Sequence, residues 1–468
     1  MIDFTATYTD QYELTMAQSY FDKGRQSEQA VFDYFFRKLP FEGGYAIFAG
    51  LEDVLNILEN IKFNSNDLQF LKSIGFPSSF VNYLKDFRFK GTIYSSKEGD
   101  IVFPTRPILQ VEGTIIEAQI VETLLLNILN FQTLIATKAS RMRQVAGNRK
   151  LIDFGLRRAH GTGGYHASRA SMVGGFNSTS NVRAGRDYGI PVSGTMAHSF
   201  IQSYDDELNA FRDFAQAHQN DCVLLVDTYN TLKSGLPNAI KVANEMKAQG
   251  HSLKGIRLDS GDLAYLAKKS RKLLDDEGLH DVKIAVSNQL DEYVIKSLLE
   301  QEAPIDVFGV GTNLVIGSPD AALDGVYKLA YTNNKPRIKL SENIGKITLP
   351  SRKQVYRISA NDGHWIGADA ITLREEIDLQ NIHHPFTPHK STCIEKCVKE
   401  PLLEKVMENG ERTANPRTIN DIATYSRERL ALLPEEYKRF ENPHIYRVGI
   451  SDKLKKQRDD MIVAHKKS

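Results

Sequence analysis

The chain is poor in three things. Cys222, Cys393 and Cys397 are the only cysteines in 468 residues, which leaves no disulfide framework and fits a reducing compartment. Charge of one sign is not in excess: 59 Lys and Arg face 58 Asp and Glu, a formal net charge of +1. Bulk charge therefore gives no attraction to nucleic acid, and no nucleic-acid partner is expected. Long hydrophobic runs are missing too. No stretch of about 18 apolar residues occurs, so no membrane span is expected. The opening MIDFTATYTDQYELTM has neither the basic start nor the apolar core of a secretory signal. These features predict a cytoplasmic protein of two or three domains.

Against that background one stretch stands out, IPVSGTMAHSFIQSY at 190–204. A short apolar run stops at Ser193-Gly194, and small or hydroxylated residues then lead into helical character around His198. Histidine is a competent nucleophile toward phosphorus and changes charge near neutral pH. A Gly-Thr turn opening a helix offers free backbone N–H groups to an anion. The plainer alternative is a capping Thr195 and a histidine that satisfies a local hydrogen bond.

The organisation along the chain supports the first reading. Thr9 or Asp10 is placed to cap a helix with an apolar face of Leu14, Ala17, Tyr20 and Phe21, and Tyr12 stands in its first turn. AVFDYFF reads as a strand with a basic exit at Arg37-Lys38. Helical spacing follows over 46–88, strands over 90–116, and a helix from Glu117 to Val145 that Arg141 and Arg143 close. From 149 to 316 the pattern becomes strand–loop–helix: KLIDF, CVLLVD, GIRLD, KIAVS and PIDVFGVG, with helical segments at 239–248, 263–276 and 291–301. This repetition predicts parallel β/α construction, a closed or nearly closed barrel. Beyond 325, GVYKLAYT, PRIKLS, KQVYRIS and HWIGADAITL suggest an antiparallel sheet joined to the strands at 90–116. A charged helical tail is expected from about 400, with a solvated end from Lys453. The domains are placed at 1–145, 146–325 and 326–468.

In a parallel barrel the loops after the strands gather on one face, which carries the active site. Asp153, Arg157, Asp227, Arg257, Asp259, Asp262, Asn288 and Thr312 all fall at or just after the expected strand ends. Arg157, Arg158, Arg169, Arg183 and Arg257, with several Gly-rich segments, suit a phosphorylated anion. Asp259 and Asp262 could hold Mg²⁺ on a pyrophosphate, since magnesium takes one or two carboxylates plus phosphate oxygens. They could equally orient ribose hydroxyls, and Asp262 could cap the next helix. His383, His384, His389, Cys393 and Cys397 have poor zinc spacing, and a polar loop followed by a helix is the expectation there.

Taken in order, YTDQYELTM, DFGLRRAHG, GGFNSTSNVRAG, GTMAHSF, LLVDTYNT, GIRLDSGDL, DVFGVGTNLV and GVYKL with RIKLSE resemble the nicotinate phosphoribosyltransferase family over most of the chain. The resemblance implies an irregular, TIM-like α/β barrel flanked by N- and C-terminal α+β elements, the type II phosphoribosyltransferase architecture. It implies that nicotinate and phosphoribosyl pyrophosphate yield nicotinate mononucleotide and pyrophosphate, with Mg²⁺ and coupled ATP hydrolysis through a phosphohistidine at His198, a reaction classed with the C–N ligases. By the same resemblance Phe154 and a partner subunit's Tyr12 sandwich the pyridine ring, with Thr195 beside it. Arg157 and Arg257 contact phosphate or the ring substituent, and Asp259 approaches the ribose. Gly311 and Thr312 take the 5-phosphate, while Arg37 and Lys328 reach phosphate from the partner subunit, which makes a homodimer with shared sites the expected assembly. Amide-using relatives carry an aspartate near the ring substituent. Ser178-Thr179-Ser180-Asn181 has no carboxylate there, which favours the acid over the amide. Asp324-Gly325 departs from the Gly-Gly usual in the family.

Overall fold

The computed structural model describes residues 4–387 and 389–467. The chain divides into two compact units, residues 138–321 and the paired segments 1–137 and 322–468, and the division falls inside the helix Glu122–Ala146.

The 138–321 unit is built on six short parallel strands. Their spatial order is Ser178–Thr179, Lys150–Asp153, Val307–Val310, Lys283–Ser287, Gly255–Leu258 and Val223–Leu225. Leu151, Ile152, Leu224, Leu225, Ile256, Leu258, Ile284, Val286, Phe308 and Val310 are all buried, so both faces of the sheet are covered, as parallel sheets require. The helices Gly163–Val173, Leu236–Ala248, Leu263–Asp276 and Glu292–Glu300 return the chain between strands. Asp262 and Asp291 open the last two by accepting from backbone N–H groups of the first turn.

This is the irregular α/β barrel, open rather than closed. Ser178–Thr179 is a strand that the sequence reading did not separate, because two polar residues carry no alternation to detect. The run at 190–192 contributes only a single parallel bridge, Val192 to Thr179. Pro191 has no N–H to continue a ladder; its carbonyl accepts from Thr179 N at 3.1 Å. Among the described residues no ladder joins this edge to Val223–Leu225.

The other unit holds two large sheets. The first is antiparallel and runs Lys335–Pro336, Gly325–Thr332, Gln29–Phe36, Leu109–Thr114, Thr92–Ser95, Glu404–Glu408 and Glu411–Arg412. Gly325 is required where it stands, since a Cβ there would collide with the Asn130 amide. The second sheet centres on Lys353–Ser359 and Trp365–Leu373. The expected single sheet is thus two: Gly325–Thr332 and the two-residue Lys335–Pro336 lie in the sheet of the strands at 92–114, whereas Lys353–Ser359 and Trp365–Leu373 lie in the second. The expected helix from Glu117 breaks at Val121, between Ile115–Ile120 and Glu122–Ala146. Asp10 stands at the N-cap of Gln11–Asp22, but its carboxylate accepts from Thr123 Oγ1 at 2.9 Å instead of capping.

The region after 400 is not uniformly helical. Strands at 398–412 precede the helix Ile419–Leu432, and Arg447–Ser451 pairs in parallel with Trp365–Leu373. The last helix, Asp452–Lys467, buries Leu454, so 453 onward is not merely a solvated end. Asn381–His383 and Ser391–Cys393 pair antiparallel where a loop and helix were expected. His383 bonds Asp452 at 2.6 Å, and among the described residues no group of three or more His, Cys, Asp or Glu is arranged to hold a metal.

Candidate active site at the strand ends

The C-terminal ends of the parallel strands assemble one connected polar cluster. Arg257, on Gly255–Leu258, extends along the sheet edge. Its Nε donates to Ser287 Oγ at 2.9 Å, Nη2 to Asp259 Oδ1 at 2.8 Å, and Nη1 to Thr195 Oγ1 at 3.3 Å and the Met196 carbonyl at 3.4 Å. Ser287, the last residue of its strand, also donates to Asp259 Oδ1. Burial alone would raise the Asp259 carboxyl pKa, but the Ser287 hydroxyl and the Arg257 charge override it and hold the group below its ordinary range. Asp259 is therefore a fixed anion at neutral pH.

Asp227 is the second node. It follows Val223–Leu225 by two residues, and its side chain is 1% exposed. Oδ2 accepts from Asp259 N at 2.8 Å and Ser260 Oγ at 2.6 Å, while Oδ1 faces His198 Nε2 at 3.1 Å. His198 opens the helix His198–Gln202 and is 38% exposed. With Nε2–H directed at Asp227, the Nδ1 lone pair is free; among the described residues it has no partner. Backbone at the next strand end is left-handed at two non-glycine residues, Asn288 (φ 90) and Gln289 (φ 50), a cost commonly retained at functional sites.

Phe154 forms an apolar wall beside the cluster. The Arg257 guanidinium lies 5.3 Å from its ring centroid. Gly309 lies against the ring, where any Cβ would strike it. The Phe154 N–H donates to the Val310 carbonyl at 2.8 Å, and Gly311 approaches the Phe154 carbonyl. Gly311 and Thr312 begin the short helix Thr312–Val315 at the adjacent strand end. Arg157 and Arg158 are exposed on the turn after Phe154, and Arg157 has no side-chain partner among the described residues.

The structure thus joins His198, Thr195, Phe154, Arg257, Asp259, Gly311 and Thr312. Asp262 caps Leu263–Asp276 through Tyr265 N at 3.0 Å. Two arginines of the expected anion set are engaged within the protein. Arg169 is 2% exposed within Gly163–Val173, with Tyr188 beside it, and Arg183 pairs with Asp187 at 2.6 Å. Tyr12, Arg37 and Lys328 belong to the other unit. There Tyr12 is 50% exposed, Lys328 faces Glu122 at 3.9 Å, and Arg37 Nε is buried with no hydrogen-bond partner among the described residues.

Sequence reasoning assigned no site role to Ser287 and left Asp227 only among the strand-end residues; the strand-end position was the usable signal for both. It also passed over what Asp153 does. That carboxylate is wholly buried, and burial raises its pKa. It accepts from Ser168 Oγ and Thr179 Oγ1, each at 2.7 Å, and from Gly155 N at 2.8 Å. It is sealed beneath the 178–181 segment, with no atom left to meet a ligand's ring substituent.

A parallel α/β barrel whose strand ends converge arginine, carboxylate and an aromatic wall has the type II phosphoribosyltransferase architecture. The particular family follows from comparison with known proteins. The model of the nicotinate phosphoribosyltransferase family matches residues 149–383, and models of that enzyme's N-terminal and C-terminal domains match 7–130 and 352–458. The chain belongs to the nicotinate phosphoribosyltransferase family. The nicotinate phosphoribosyltransferase of Bacillus subtilis is 45% identical over 460 residues, covering 96% of this chain and 94% of its own; that of Dictyostelium discoideum is 38% identical, covering 96% and 87%. The crystal structure of human nicotinic acid phosphoribosyltransferase superposes with a TM-score of 0.86 at 30% identity, over 97% of this chain and 99% of that one. A nicotinate-nucleotide pyrophosphorylase from Pyrococcus furiosus shares the fold, with a TM-score of 0.71 at 24% identity over 91% and 95% of the two chains. Among the described residues no helix is long and apolar enough to cross a membrane.

Proposed function

We propose that this protein transfers the phosphoribosyl group of phosphoribosyl pyrophosphate to nicotinate, releasing nicotinate mononucleotide and pyrophosphate, the entry of nicotinate into NAD synthesis in the cytoplasm. The observation that carries the reading is the continuous chain from His198 through Asp227 to Asp259 and Arg257, laid beside the Phe154 ring. The pyridine stacks on Phe154, whose ring Gly309 and Arg257 hold in place. The ring nitrogen attacks the ribose anomeric carbon as the bond to pyrophosphate breaks. Positive charge builds on the ribose, and fixed Asp259 stabilises it without reorganising. Arg257 and Arg157 supply cationic donors for phosphate or for the nicotinate carboxylate, and Gly311 and Thr312 take the 5-phosphate.

Magnesium fits this site only as an ion arriving with the pyrophosphate. Asp259 and Asp262 each keep one carboxylate oxygen unused among the described residues, which matches the one or two carboxylates magnesium takes besides phosphate oxygens. When bound it neutralises charge on the leaving pyrophosphate.

ATP enters as co-substrate through His198. The Nδ1 lone pair forms a bond to the γ-phosphorus, the bond to the β–γ bridging oxygen breaks, and ADP leaves; Asp227 holds the Nε2 proton and balances the ring's charge. Water later cleaves the N–P bond to give phosphate and free histidine. Two subunits share each site, with Tyr12, Arg37 and Lys328 coming from the partner copy. The deciding experiment supplies phosphoribosyl pyrophosphate and Mg²⁺ with nicotinate, nicotinamide or quinolinate, each with and without ATP. Turnover of nicotinate alone, stimulated by ATP, is the expected result. Preference for either other pyridine would overturn the ring-pocket assignment, and indifference to ATP would remove the phosphohistidine.

A further inference from the structure

His198 and Asp227 meet at 3.1 Å, yet they stand on separate segments, and the carboxylate that joins those segments takes no part in the reaction. His198–Gln202 packs on the next helix, Glu207–Ala217. The Phe200 ring meets Phe214 edge-on at 5.7 Å between centroids, and Ile201 is fully buried. Asp227 leads instead into a single π turn, Thr231–Gly235, in which Gly235 N donates to the Asn230 carbonyl at 3.0 Å. Such turns are rare and occur often at functional sites. Gly235 presses on the strand end itself: any Cβ there would strike the carbonyl of Val226, the residue before Asp227.

Glu207 binds the two segments together. It stands in the first turn of its helix and is 5% exposed. Its Oε2 accepts from Ser234 Oγ, inside the π turn, and from Asn238 Nδ2 at 2.9 Å. A closed circuit results. It runs from Glu207 through Ser234 and Gly235 to Val226 and Asp227, crosses to His198, and returns through Phe200 and Phe214 to the helix of Glu207. The same helix has a second tie to Leu236–Ala248 further along, where Arg212 donates to Glu245 at 2.6 and 2.9 Å from partly exposed side chains. Holding two helices together therefore does not require Glu207. Its Oε1 is buried with no hydrogen-bond partner among the described residues, so the carboxylate bears a desolvation cost. What it supplies is direction, because two bonds to one oxygen fix the π turn against the helix where apolar packing would let it slide.

We propose that Glu207 is a positioning residue for the phosphohistidine step: it clamps the π turn to the helices that carry His198, holds Nε2 on Asp227 and so presents Nδ1 to the γ-phosphate of ATP. The inference rests on the reading above, in which His198 is the nucleophile. Asp227 is held independently by Asp259 N and Ser260 Oγ, so the arm that moves when the clamp is lost is the one bearing His198. An imidazole released from Asp227 no longer has one nitrogen chosen as donor, and fewer rings present the Nδ1 lone pair. Phosphoribosyl transfer uses Arg257, Asp259 and Phe154, none of which touches the clamp, so the two activities separate.

The test compares phosphoenzyme formation from γ-labelled ATP with ATP-free transfer in wild type, Glu207→Ala, Glu207→Gln and Arg212→Ala. Glu207→Ala is expected to slow phosphoenzyme formation about tenfold and to leave ATP-free transfer within about twofold of wild type. Glu207→Gln keeps an acceptor for Ser234 and Asn238 while removing the charge at the helix start, and should phosphorylate like wild type. Arg212→Ala, which unties the same helices elsewhere, should do so too. If Glu207→Ala does not fold, Ser234→Ala removes one of the two bonds and should show the same selective loss at smaller size. The tautomer of the neutral His198 ring is read in parallel by ¹⁵N NMR of histidine-labelled protein, assigned by the signal missing from His198→Ala. A single Nε2-protonated form is expected in wild type and Glu207→Gln, and a mixture in Glu207→Ala. Wild-type phosphorylation in Glu207→Ala, an equal loss in Arg212→Ala, or a Glu207→Gln enzyme as impaired as Glu207→Ala overturns the inference. Failure of the premise looks different: wild type takes up no label, while Glu207→Ala still mixes the tautomers, which removes the nucleophile and leaves Glu207 as the residue that orients His198.

Discussion

Two arginine–aspartate networks in this chain are made of the same chemistry and do opposite work. In the 1–137 and 322–468 unit, Arg357 is fully buried. It spends its donors on Asp369 at 3.0 and 3.2 Å, Asp100 at 3.2 Å and the Ile101 carbonyl at 2.7 Å, and its guanidinium lies 4.2 Å from the Trp365 ring centroid. Arg429 donates to the same Asp100 oxygen, Oδ1, that Arg357 meets, Arg106 pairs with Asp369, and the Tyr446 hydroxyl donates to Asp369. At the barrel strand ends, Arg257 and Asp259 are paired as tightly, but their side chains are 14% and 24% exposed. There Asp259 Oδ2 and His198 Nδ1 remain unused among the described residues. The number of ion pairs does not distinguish a structural network from a reactive one. Unspent valence beside solvent does.

The comparison breaks most visibly if the buried network proves dispensable. Arg357→Ala leaves buried Asp100 and Asp369 short of a partner, and should cost about 3–5 kcal/mol, read as loss of soluble protein or a collapsed denaturation midpoint. Burial raises the Asp100 pKa, but Arg357 and Arg429 outweigh it and hold the group below its ordinary range. The stability it contributes is therefore present above its unfolded value near 3.8 and drains away as pH falls through the lower native value. Arg257→Ala should do the reverse: a near-native melting curve with kcat/KM for nicotinate reduced by about 10³, the scale of losing one preorganised charged donor. Normal kinetics in that variant would void the assignment of the strand ends.

Next in size is the coupled step. His198→Ala should retain basal transfer while losing ATP stimulation and the acid-labile phosphoenzyme, measured with γ-labelled ATP. Retained labelling would take the nucleophile away from His198. Sharing between copies is a subtler quantity. Tyr12→Ala and Arg257→Ala, each inactive alone, should regain about a quarter of wild-type activity when mixed and allowed to exchange, because half the dimers then hold one intact site. Stable mixed dimers without recovery would make each subunit self-sufficient.

The barrel was legible because five of its strands are apolar runs ending in charged or polar residues, and that pattern survives any packing. Ser178–Thr179 was not, since two polar residues become a strand only when Lys150–Asp153 lies alongside. The second sheet was missed for a related reason. Nothing in HWIGADAITL says whether its partner is the strand from Lys353 or one from the N-terminal segment; that choice is made by long-range packing. At the site, His198, Arg257 and Asp259 could be picked out by type and position. Their connection through Asp227 and Ser287 could not, because a hydrogen bond between residues 28 or more apart in sequence leaves no local trace. The same blindness let Arg169 pass as an anion ligand before its burial was visible, whereas the Arg183–Asp187 pair is a local i,i+4 contact.

Asp262 tests the finest division between structure and function. Its Oδ1 is committed to the first turn of Leu263–Asp276, and truncating such a cap costs about 1 kcal/mol. If that were its whole role, Asp262→Ala and Asp262→Asn would both leave the Mg²⁺ dependence of turnover unchanged, and Asn, an equally good cap, would restore stability. The unused second oxygen argues for more. Asn keeps the cap but loses the negative charge, so Asp262→Asn should melt like wild type and yet need about two- to fivefold more Mg²⁺ for half-maximal rate, a modest change because phosphate oxygens and Asp259 supply the rest of the shell. A wild-type Mg²⁺ profile in Asp262→Asn would assign the residue to the helix alone and leave Asp259 as the one carboxylate on the metal.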